Sequence, residues 1–241
     1  MAPMQEPRDI QNDIHREARL LLRAARVGSL AVIEDEYPAI ALVTPAVTPE
    51  GDVVVLLSQL SAHTRALDRD PRCALMVSGP PAEANPQTSP RLSLVCDAAR
   101  SDAPEDRERY LAIHPYARAY AGFGDFGIYR LTPVAARFVG GFARAATLDV
   151  ERLSPRTAAL QDQAACRAAM AAANDGLGAR LDEVAARHGG SGSGSGWRMV
   201  TLDPDGFDLG REDIVLRVAF GRMLRVYEDA LTNLADGATH G

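Results

Sequence analysis

The stretch LLSQLSAHTRALDRDPR (Leu56–Arg72) decides the fold, because it ends an apolar strand, passes through a polar turn and begins a short helix. Ser61 is a typical N-cap, since a serine hydroxyl can accept a hydrogen bond from an unpaired amide of the first helical turn. Free amides at a helix start, hydroxyls and a guanidinium can together hold a phosphate. The residues from Ser61 to Arg65 therefore predict an anion site. An ordinary cap with a solvated His63 and Arg65 is the equally weighted alternative.

Short runs rich in β-branched residues lie on both sides of this stretch and predict strands. They are SLAVI (29–33), PAIALVTPAV (38–47), DVVVLLS (52–58), RCALMVS (72–78), RLSLVCD (91–97), FGIYRLTP (126–133) and ARFVGGF (136–142). An amphipathic helix over 10–26 and a shorter helix over 104–113 accompany them. Because strands and helices do not alternate in regular βαβ units, the pattern favours an antiparallel barrel over a doubly wound sheet.

The composition changes after Thr147 and predicts a second domain. Residues 157–188 are rich in alanine and predict helix, and the run GGSGSGSG (189–196) has the composition of a flexible connector, either native or engineered. Two strands and a closing helix over 224–234 follow. The expected organisation is α+β, with a barrel over 1–147 and a small C-terminal α/β domain over 148–241.

The totals exclude several classes of protein. A formal charge of -6 with interspersed signs argues against a nucleic-acid surface. No apolar run approaches the roughly 20 residues that cross a bilayer, and the first ten residues do not resemble a secretory signal. We therefore expect a cytoplasmic protein without a membrane partner. Cys73, Cys96 and Cys166 lack metal-site spacing, and the first two are interpreted as buried hydrophobes.

An acidic stretch near the C-terminus has two interpretations. Asp203, Asp205 and Asp208 in LDPDGFDL have the appearance of a metal-binding loop. Asp-Pro-Asp-Gly between two apolar strands is, however, typical of a hairpin turn, which we favour. The Gly140-Gly141 pair is interpreted as a bulge or close backbone approach in a strand, since no helix follows it. We predict no metal site.

Three motifs carry a resemblance to a known family. The pattern S-x-L-S-x-H-T-x-x-L (58–67) followed by D-P-R (70–72) resembles the pyridoxamine 5'-phosphate oxidase-like superfamily of FMN-binding split barrels, and more narrowly its heme-utilisation (HugZ-type) branch. GFGDFGIYRLTPVAARFVGGFARA (122–145) is similar to that branch's F-x-D-F segment, so the two matches cover roughly residues 14–147. WRMVTLDPDGFDL (197–209) resembles the small domain that often follows these barrels. The resemblance implies an antiparallel split barrel.

The resemblance also implies where a cofactor would bind. It implies contacts with the FMN phosphate at Ser58, Ser61, His63, Thr64 and Arg65, and with the cofactor edge at Arg91. It further implies a homodimer with cofactors between its subunits, because a barrel of this size is filled by its own side chains. No catalytic residue is assigned, since an isoalloxazine supplies its own redox chemistry.

This chain departs from the family pattern at two places. The oxidase has basic residues where Leu42 and Ala62 stand here, so the phosphate clamp is depleted. In the C-terminal domain, the usual Met-Asn-x-Asp-His motif is replaced by Met-Ala-Ala-Ala-Asn over 170–174. The histidine of that motif is therefore missing at the matching position.

Three functions remain open at this level. The leading expectation is an FMN-binding, flavin-dependent oxidoreductase, and the alternative is a heme-binding or heme-utilisation protein without flavin activity. Heme iron needs an axial ligand such as histidine, and His63 and His114 are the candidates, whereas His15 is expected to be exposed and His188 and His240 adjoin glycine-rich sequence. A barrel with only a structural or regulatory role is the third.

Overall fold

The computed structural model describes residues 7–81, 84–141, 144–153, 157–189, 194–235 and 239–240, and describes side chains from residue 14 to residue 235. Contacts divide the chain into two compact units. The first comprises the described residues of Met1–Val47, Gly51–Asp102 and Phe123–Pro155, and the second those of Thr48–Glu50, Ala103–Gly122 and Arg156–Gly241. The division at residue 147, as a boundary between independently folding domains, stays a prediction.

The strands form two antiparallel sheets. In chain order they are β1 (Gly28–Glu34), β2 (Tyr37–Val43), β3 (Ala46–Val47), β4 (Val53–Ser58), β5 (Arg72–Ser78), β6 (Arg91–Ser101), β7 (Phe126–Val139), β8 (Ala145–Leu148), β9 (Arg198–Asp203), β10 (Gly206–Arg211), β11 (Ile214–Phe220) and β12 (Thr239–His240). The first eight have the order β2-β1-β5-β6-β7-β4-β3, with β8 beside β7, and the last four have the order β12-β11-β10-β9. The predicted α+β class with an antiparallel split barrel and a smaller unit is confirmed.

The helices are, in chain order, α1 (Pro7–Ala24), α2 (Ala62–Arg69), α3 (Pro104–Ile113), α4 (Val150–Leu153), α5 (Ala158–Gln161), α6 (Gln163–Gly176), α7 (Gly178–Arg187) and α8 (Asp229–Ala235). Short 3₁₀ helices occur at Pro86–Thr88 and Pro115–Ala119. No helix in the described ranges is both long enough and apolar enough to cross a membrane.

The core of the first unit follows the period of two expected for strands with one buried face. In β1, Leu30 and Val32 are buried while their neighbours are more exposed, and β5 shows the same alternation at Cys73, Leu75 and Val77. These side chains belong to one apolar cluster, which α1 and α2 join through buried residues such as Ala18 and Leu67. The sheet therefore has one inner face and one outer face.

Several predicted boundaries shift for local reasons. The strands predicted over 126–133 and 136–142 form one strand, β7. Its pairing with β6 is irregular between Val95 and Cys96, where Cys96 pairs with Pro133, which lacks an amide donor. The reversal predicted at Pro49 to Asp52 is present, and Gly51 has a φ of 97°. The glycine pair 140–141 lies in the connection from β7 to β8 rather than inside a strand, where Gly140 donates to the Arg144 carbonyl.

The acidic stretch of the second unit is a hairpin, as favoured above. Pro204 and Asp205 join β9 to β10, and Asp203 pairs with Gly206 across the turn. Arg217 contacts Asp203 at 2.6 Å and Asp208 at 3.3 Å, and Arg109 contacts Asp203 at 2.8 Å. Among the described residues, no group of three acidic, cysteine or histidine side chains could hold a metal ion. The run 190–193, in the predicted connector, lies outside the described residues.

Candidate functional site

The end of β4 is fixed by the loop that precedes β7. Ser58 Oγ donates to Asp125 Oδ2 at 2.6 Å and accepts from the Leu60 amide at 3.1 Å. The Gln59 amide donates to the Asp125 carbonyl at 2.7 Å. Asp125, the acid of the F-x-D-F segment, therefore orients the predicted site residue Ser58 and the turn that leads into α2.

Ser61 occupies the N-cap position of α2, but its side chain makes no capping hydrogen bond, so that part of the prediction is wrong. Its backbone is engaged, because its amide donates to the Ser58 carbonyl and its own carbonyl accepts from the Arg65 amide. The Ser58 hydroxyl already serves the Leu60 amide. The Ser61 hydroxyl therefore caps no amide of α2 and can form a hydrogen bond with another group at the start of the helix.

The predicted residues on α2 lie on different faces of the helix. Each helical residue turns the chain by about 100°, so His63 and Arg65 point roughly 200° apart. Thr64 is fully buried, and its Oγ1 has no hydrogen-bond partner among the described residues. Arg65 is exposed. A ligand bound at the Arg65 guanidinium would therefore not reach the Thr64 hydroxyl in this conformation.

His63 is partly buried between α2 and the β1–β2 hairpin. Burial lowers the pKa of its imidazole below the usual value, and the nearby Glu34 carboxylate opposes this change. Since burial is the larger cause, the ring is neutral at neutral pH. It is therefore compatible with metal ligation, on the face of α2 opposite Arg65.

Arg91 lies away from the other predicted residues in the same chain. It pairs with Val139 at one end of β7, whereas Ser58 pairs with Phe126 at the other end. The thirteen steps between these partners correspond to roughly 40 Å along an extended strand. Arg91 Nη1 instead donates to the carbonyls of Gln87 and Ser89. The cofactor roles of these residues stay predictions.

The exposed face of α2 borders a depression of about 330 Å³ lined by Arg65, Asp68 and Arg69. Their spacing of three and four residues places them side by side on the helix. Tyr129 of β7 donates to Asp68 Oδ1 at 2.8 Å, and burial and this carboxylate raise its pKa to about 12. The tyrosine therefore remains a protonated donor that holds Asp68 against the sheet.

A third guanidinium lies beside this depression. Arg100 of β6 pairs with Tyr129 in the sheet, and its guanidinium packs over Gly127, where an added Cβ would lie 3.5 Å from it. We call Arg65, Arg69 and Arg100 the arginine cluster. Its ion pairs are long and exposed, at 3.7 Å from Arg69 to Asp35 and 3.9 Å from Arg100 to Asp102. Such pairs contribute little, so an anionic ligand can replace them.

The sequence missed most of this site. The spacing of Arg65, Asp68 and Arg69 would have shown that they share a helical face. Arg100 and Tyr129 are brought to that face only by the register of β6 and β7, which no local pattern specifies. Asp125 belongs to the F-x-D-F segment, but nothing in that motif indicates that its carboxylate accepts a hydrogen bond from Ser58.

The outer face of the first sheet carries a contiguous apolar surface. Ile40 and Leu42 of the edge strand β2 are 76% and 74% exposed, and Met76 and Val95 are 43% and 49% exposed. The register aligns Ile40 with Ala31, Ala31 with Ala74 and Ala74 with Val95 across four strands. We call Ile40, Leu42, Met76 and Val95 the apolar face. Contiguous exposed patches of this kind mark interaction surfaces.

Two of the histidines considered as iron ligands are engaged elsewhere. His114 is 2% exposed, packs against the Tyr110 ring at 4.8 Å, and has its Nδ1 3.3 Å from the Tyr116 hydroxyl. His15 was expected to be exposed, which is wrong, because it is 7% exposed and its Nε2 accepts from the Asp149 amide. His63 is the more accessible of the two candidate ligands.

A curated plant protein is similar to part of this chain. No family model matches the chain. The chain is 32% identical over 135 residues to the chloroplastic non-canonical heme oxygenase HOZ of Arabidopsis thaliana. The match covers 54% of this chain and 41% of that relative. This chain therefore spans only about two fifths of the length of the curated protein it matches.

Two solved structures match over nearly their whole length. One is a protein of unknown function from Agrobacterium tumefaciens, with a TM-score of 0.75, 24% identity and coverage of 98% of this chain and 100% of that chain. The other is a heme-binding protein from Mycobacterium smegmatis, with a TM-score of 0.57, 25% identity and coverage of 99% and 98%. Both share the fold of the present chain.

Proposed function

We propose that this chain, which belongs to the pyridoxamine 5'-phosphate oxidase-like split-barrel superfamily, binds heme at its arginine cluster and serves in heme handling. The observation that carries the proposal is that Arg65 and Arg69 line one depression with Arg100 nearby, and that the ion pairs of Arg69 and Arg100 are long and exposed. Arg65 forms no ion pair with a described residue and donates to the Leu60 carbonyl at 2.6 Å. The names of two relatives, a heme oxygenase and a heme-binding protein, support heme as the ligand.

The residues of the depression fit the acidic side of heme. Heme carries two propionate groups, and guanidiniums bind carboxylates through paired, charge-assisted hydrogen bonds. Arg65 and Arg69 line the depression, and Arg100 lies beside it. Bound heme would supply iron-centred redox chemistry, which protein side chains lack. His63 faces the other side of α2, so we assign no axial ligand from this chain at the cluster.

A second copy would complete the site. A depression of about 330 Å³ is at the lower end of the roughly 300–1,000 Å³ typical of small-molecule sites, and it cannot bury a tetrapyrrole alone. The apolar face is a candidate surface for that copy, because it is an exposed apolar surface on the outer face of the first sheet. We therefore propose a homodimer that associates through the apolar face.

The dimer can be tested apart from the cofactor. Replacement of Ile40 and Leu42 together by aspartate would place charges in the proposed interface, where they would be desolvated without partners. We expect sedimentation to show a monomer for this variant and a dimer for the parent. A matched double aspartate substitution at Thr132 and Val134, exposed on β7, should leave the dimer intact. A monomeric parent would contradict the interface.

FMN is the second candidate ligand, and the free Ser61 side chain favours it. Ser61 lies one helical turn before Arg65, so its hydroxyl and the guanidinium share one side of α2, as a phosphate site needs. In this alternative the protein is a flavin-dependent oxidoreductase in which the arginine cluster binds the phosphate. The three free cysteines support the cytoplasm, a reducing compartment, for either function.

Parallel titrations of the full chain with hemin and with FMN separate the two. We expect a Soret band that saturates with hemin, and binding at least tenfold weaker when Arg69 and Arg100 are both replaced by alanine. Arg222→Ala, an exposed arginine of the second unit, is the control and should bind as the parent does. Saturable flavin binding without a Soret band would replace heme by FMN, and binding of neither would overturn both.

A further inference from the structure

The second unit contains a pocket of about 350 Å³ that belongs to none of the sites above. Its wall is formed by the 3₁₀ helix after α3, by α6 and by strands β9 to β11. Pro115, Arg118, Met170, Arg198, Val200 and Val215 are among the residues that line it. Its volume suits a ligand smaller than a flavin or a heme, at the lower end of the range for small-molecule sites.

The side chains of two cations of this pocket have no partner in the part of the chain that the structure describes. Neither Arg118 nor Arg198 makes an ion pair or hydrogen bond with any described residue. Two other arginines that pack on the same sheet behave differently, because Arg109 and Arg217 are buried against Asp203. The second unit thus pairs the buried guanidiniums of Arg109 and Arg217 with a carboxylate. The guanidiniums of Arg118 and Arg198 at the pocket are available to bind an anion.

Besides the two arginines, the pocket is lined by apolar residues and by one carboxylate, Glu212, and its wall is held in place. Met170, Val200 and Val215 supply apolar side chains, and methionine adapts to ligands of different shape. The side-chain amide of Asn174 donates to the Met199 carbonyl at 3.0 Å and accepts from the Met199 amide at 2.8 Å, which secures the edge strand β9. At Gly210, an added Cβ would approach Val200 to 2.7 Å, so β9 and β10 are closely packed here.

We propose that this pocket binds a small organic acid with an aliphatic body. Arg118 and Arg198 would bind the anionic group, and the apolar side chains would cover the body. Carboxylates and phosphate monoesters share the recognising chemistry, since guanidinium binds both. The proposal does not depend on heme or flavin binding at the first unit.

The test uses the full chain labelled with ¹⁵N and titrated separately with hexanoate, hexyl phosphate, hexanol and acetate. We expect at least one six-carbon anion to shift the backbone amides of Val200, Gly210 and Val215 in a saturable way. Hexanol lacks the charge and acetate lacks the body, so each should bind about tenfold more weakly or not at all. Whichever of hexanoate and hexyl phosphate binds with the higher affinity identifies the anionic group of the ligand as a carboxylate or a phosphate.

Three variants complete the experiment. Arg118→Gln and Arg198→Gln should each weaken the better anion about tenfold, whereas Arg167→Gln, an exposed arginine of α6 outside the pocket, should have no effect. The rest of the amide spectrum reports whether each variant is folded. Absence of saturable shifts, equal binding of hexanol, or unchanged binding in both pocket variants would overturn the proposal, whatever the result of the hemin titration.

Discussion

Arginines in the two units are used in opposite ways. In the second unit, Arg109 and Arg217 are about one-tenth exposed and both contact Asp203, which is fully buried. In the first unit, the arginine cluster is exposed and its ion pairs with carboxylates are long. Burial raises both the cost of leaving a charge unpaired and the strength of a pair. The buried arginines of the second unit therefore stabilise the fold, whereas the exposed arginine cluster of the first unit can exchange its carboxylate partners for a ligand.

The protonation of the buried network shows the same contrast. Burial alone would lower the pKa of the Arg217 guanidinium, but Asp203 and Asp208 outweigh it and hold the pKa above its usual value. Thr201 also donates to Asp208, so Oδ2 of this carboxylate accepts from both Thr201 and Arg217. The network is consequently a fixed charge assembly that joins α3 to the strands of the second sheet.

Removal of one member of the buried network should produce the largest effect. Asp203→Ala leaves the guanidiniums of Arg109 and Arg217 without their shared carboxylate, and we expect a loss of about 3–5 kcal/mol in the free energy of unfolding. Urea denaturation of the full chain measures it. Asp70→Ala, which breaks the exposed pair with Arg72, should cost much less than Asp203→Ala does, because solvent screens that pair. Equal losses in the two variants would contradict the comparison.

The same contrast explains how much of the molecule could be predicted. The strands of the barrel and the hairpin at Pro204 were predictable, because period-two alternation and turn residues act locally. The predicted site was divided because Thr64 and Arg65, adjacent in the motif, point to the core and to solvent. Sequence spacing reports neighbours on a helix, whereas burial depends on what packs against it.

Long-range contacts were beyond the sequence for a related reason. Arg100 meets Tyr129 through the register of two strands, and Arg109 of α3 reaches Asp203 across 94 residues. Nothing near either arginine in the chain indicates its partner. His15 was placed at the surface because its neighbours are polar, yet its ring accepts from the Asp149 amide.

Thr64→Val should stabilise the protein, because valine keeps the shape of the side chain and removes a buried hydroxyl without a partner. An unsatisfied buried hydroxyl costs about 1–3 kcal/mol, so we expect a gain of about 1 kcal/mol in thermal or urea unfolding. Hemin and FMN titrations of the same variant should match the parent. Weaker cofactor binding would restore Thr64 as a direct contact.

Arg69→Ala should separate binding from stability. Its contact with Asp35 is exposed at both ends, so we expect a change of at most about 0.5 kcal/mol in the free energy of unfolding. Binding of the cofactor that the parent takes up should nevertheless weaken, because one guanidinium of the arginine cluster is lost. If Arg69→Ala lost as much stability as Asp203→Ala does, the arginine cluster would have a structural role. Its exposed ion pairs would then contribute to stability, contrary to this prediction.

His63 should make the smallest contribution, and one that depends on pH. Burial lowers the pKa of the folded imidazole below its usual value near 6.5. As the pH falls below 6.5, the unfolded chain takes up a proton at this position that the folded chain resists, so the folded state loses stability until its own pKa is passed. His63→Gln should therefore lose less stability than the parent between pH 7.5 and pH values below 6.5, measured by urea unfolding.

Glu34 provides the control for His63, because its carboxylate raises the pKa that burial lowers. In Glu34→Gln the folded imidazole should resist protonation more strongly, and the loss of stability on acidification should exceed that of the parent. The double variant should behave as His63→Gln does. Equal pH dependence in all four proteins would show that the imidazole is solvated in the folded state. Burial on α2 would then not determine the protonation of His63.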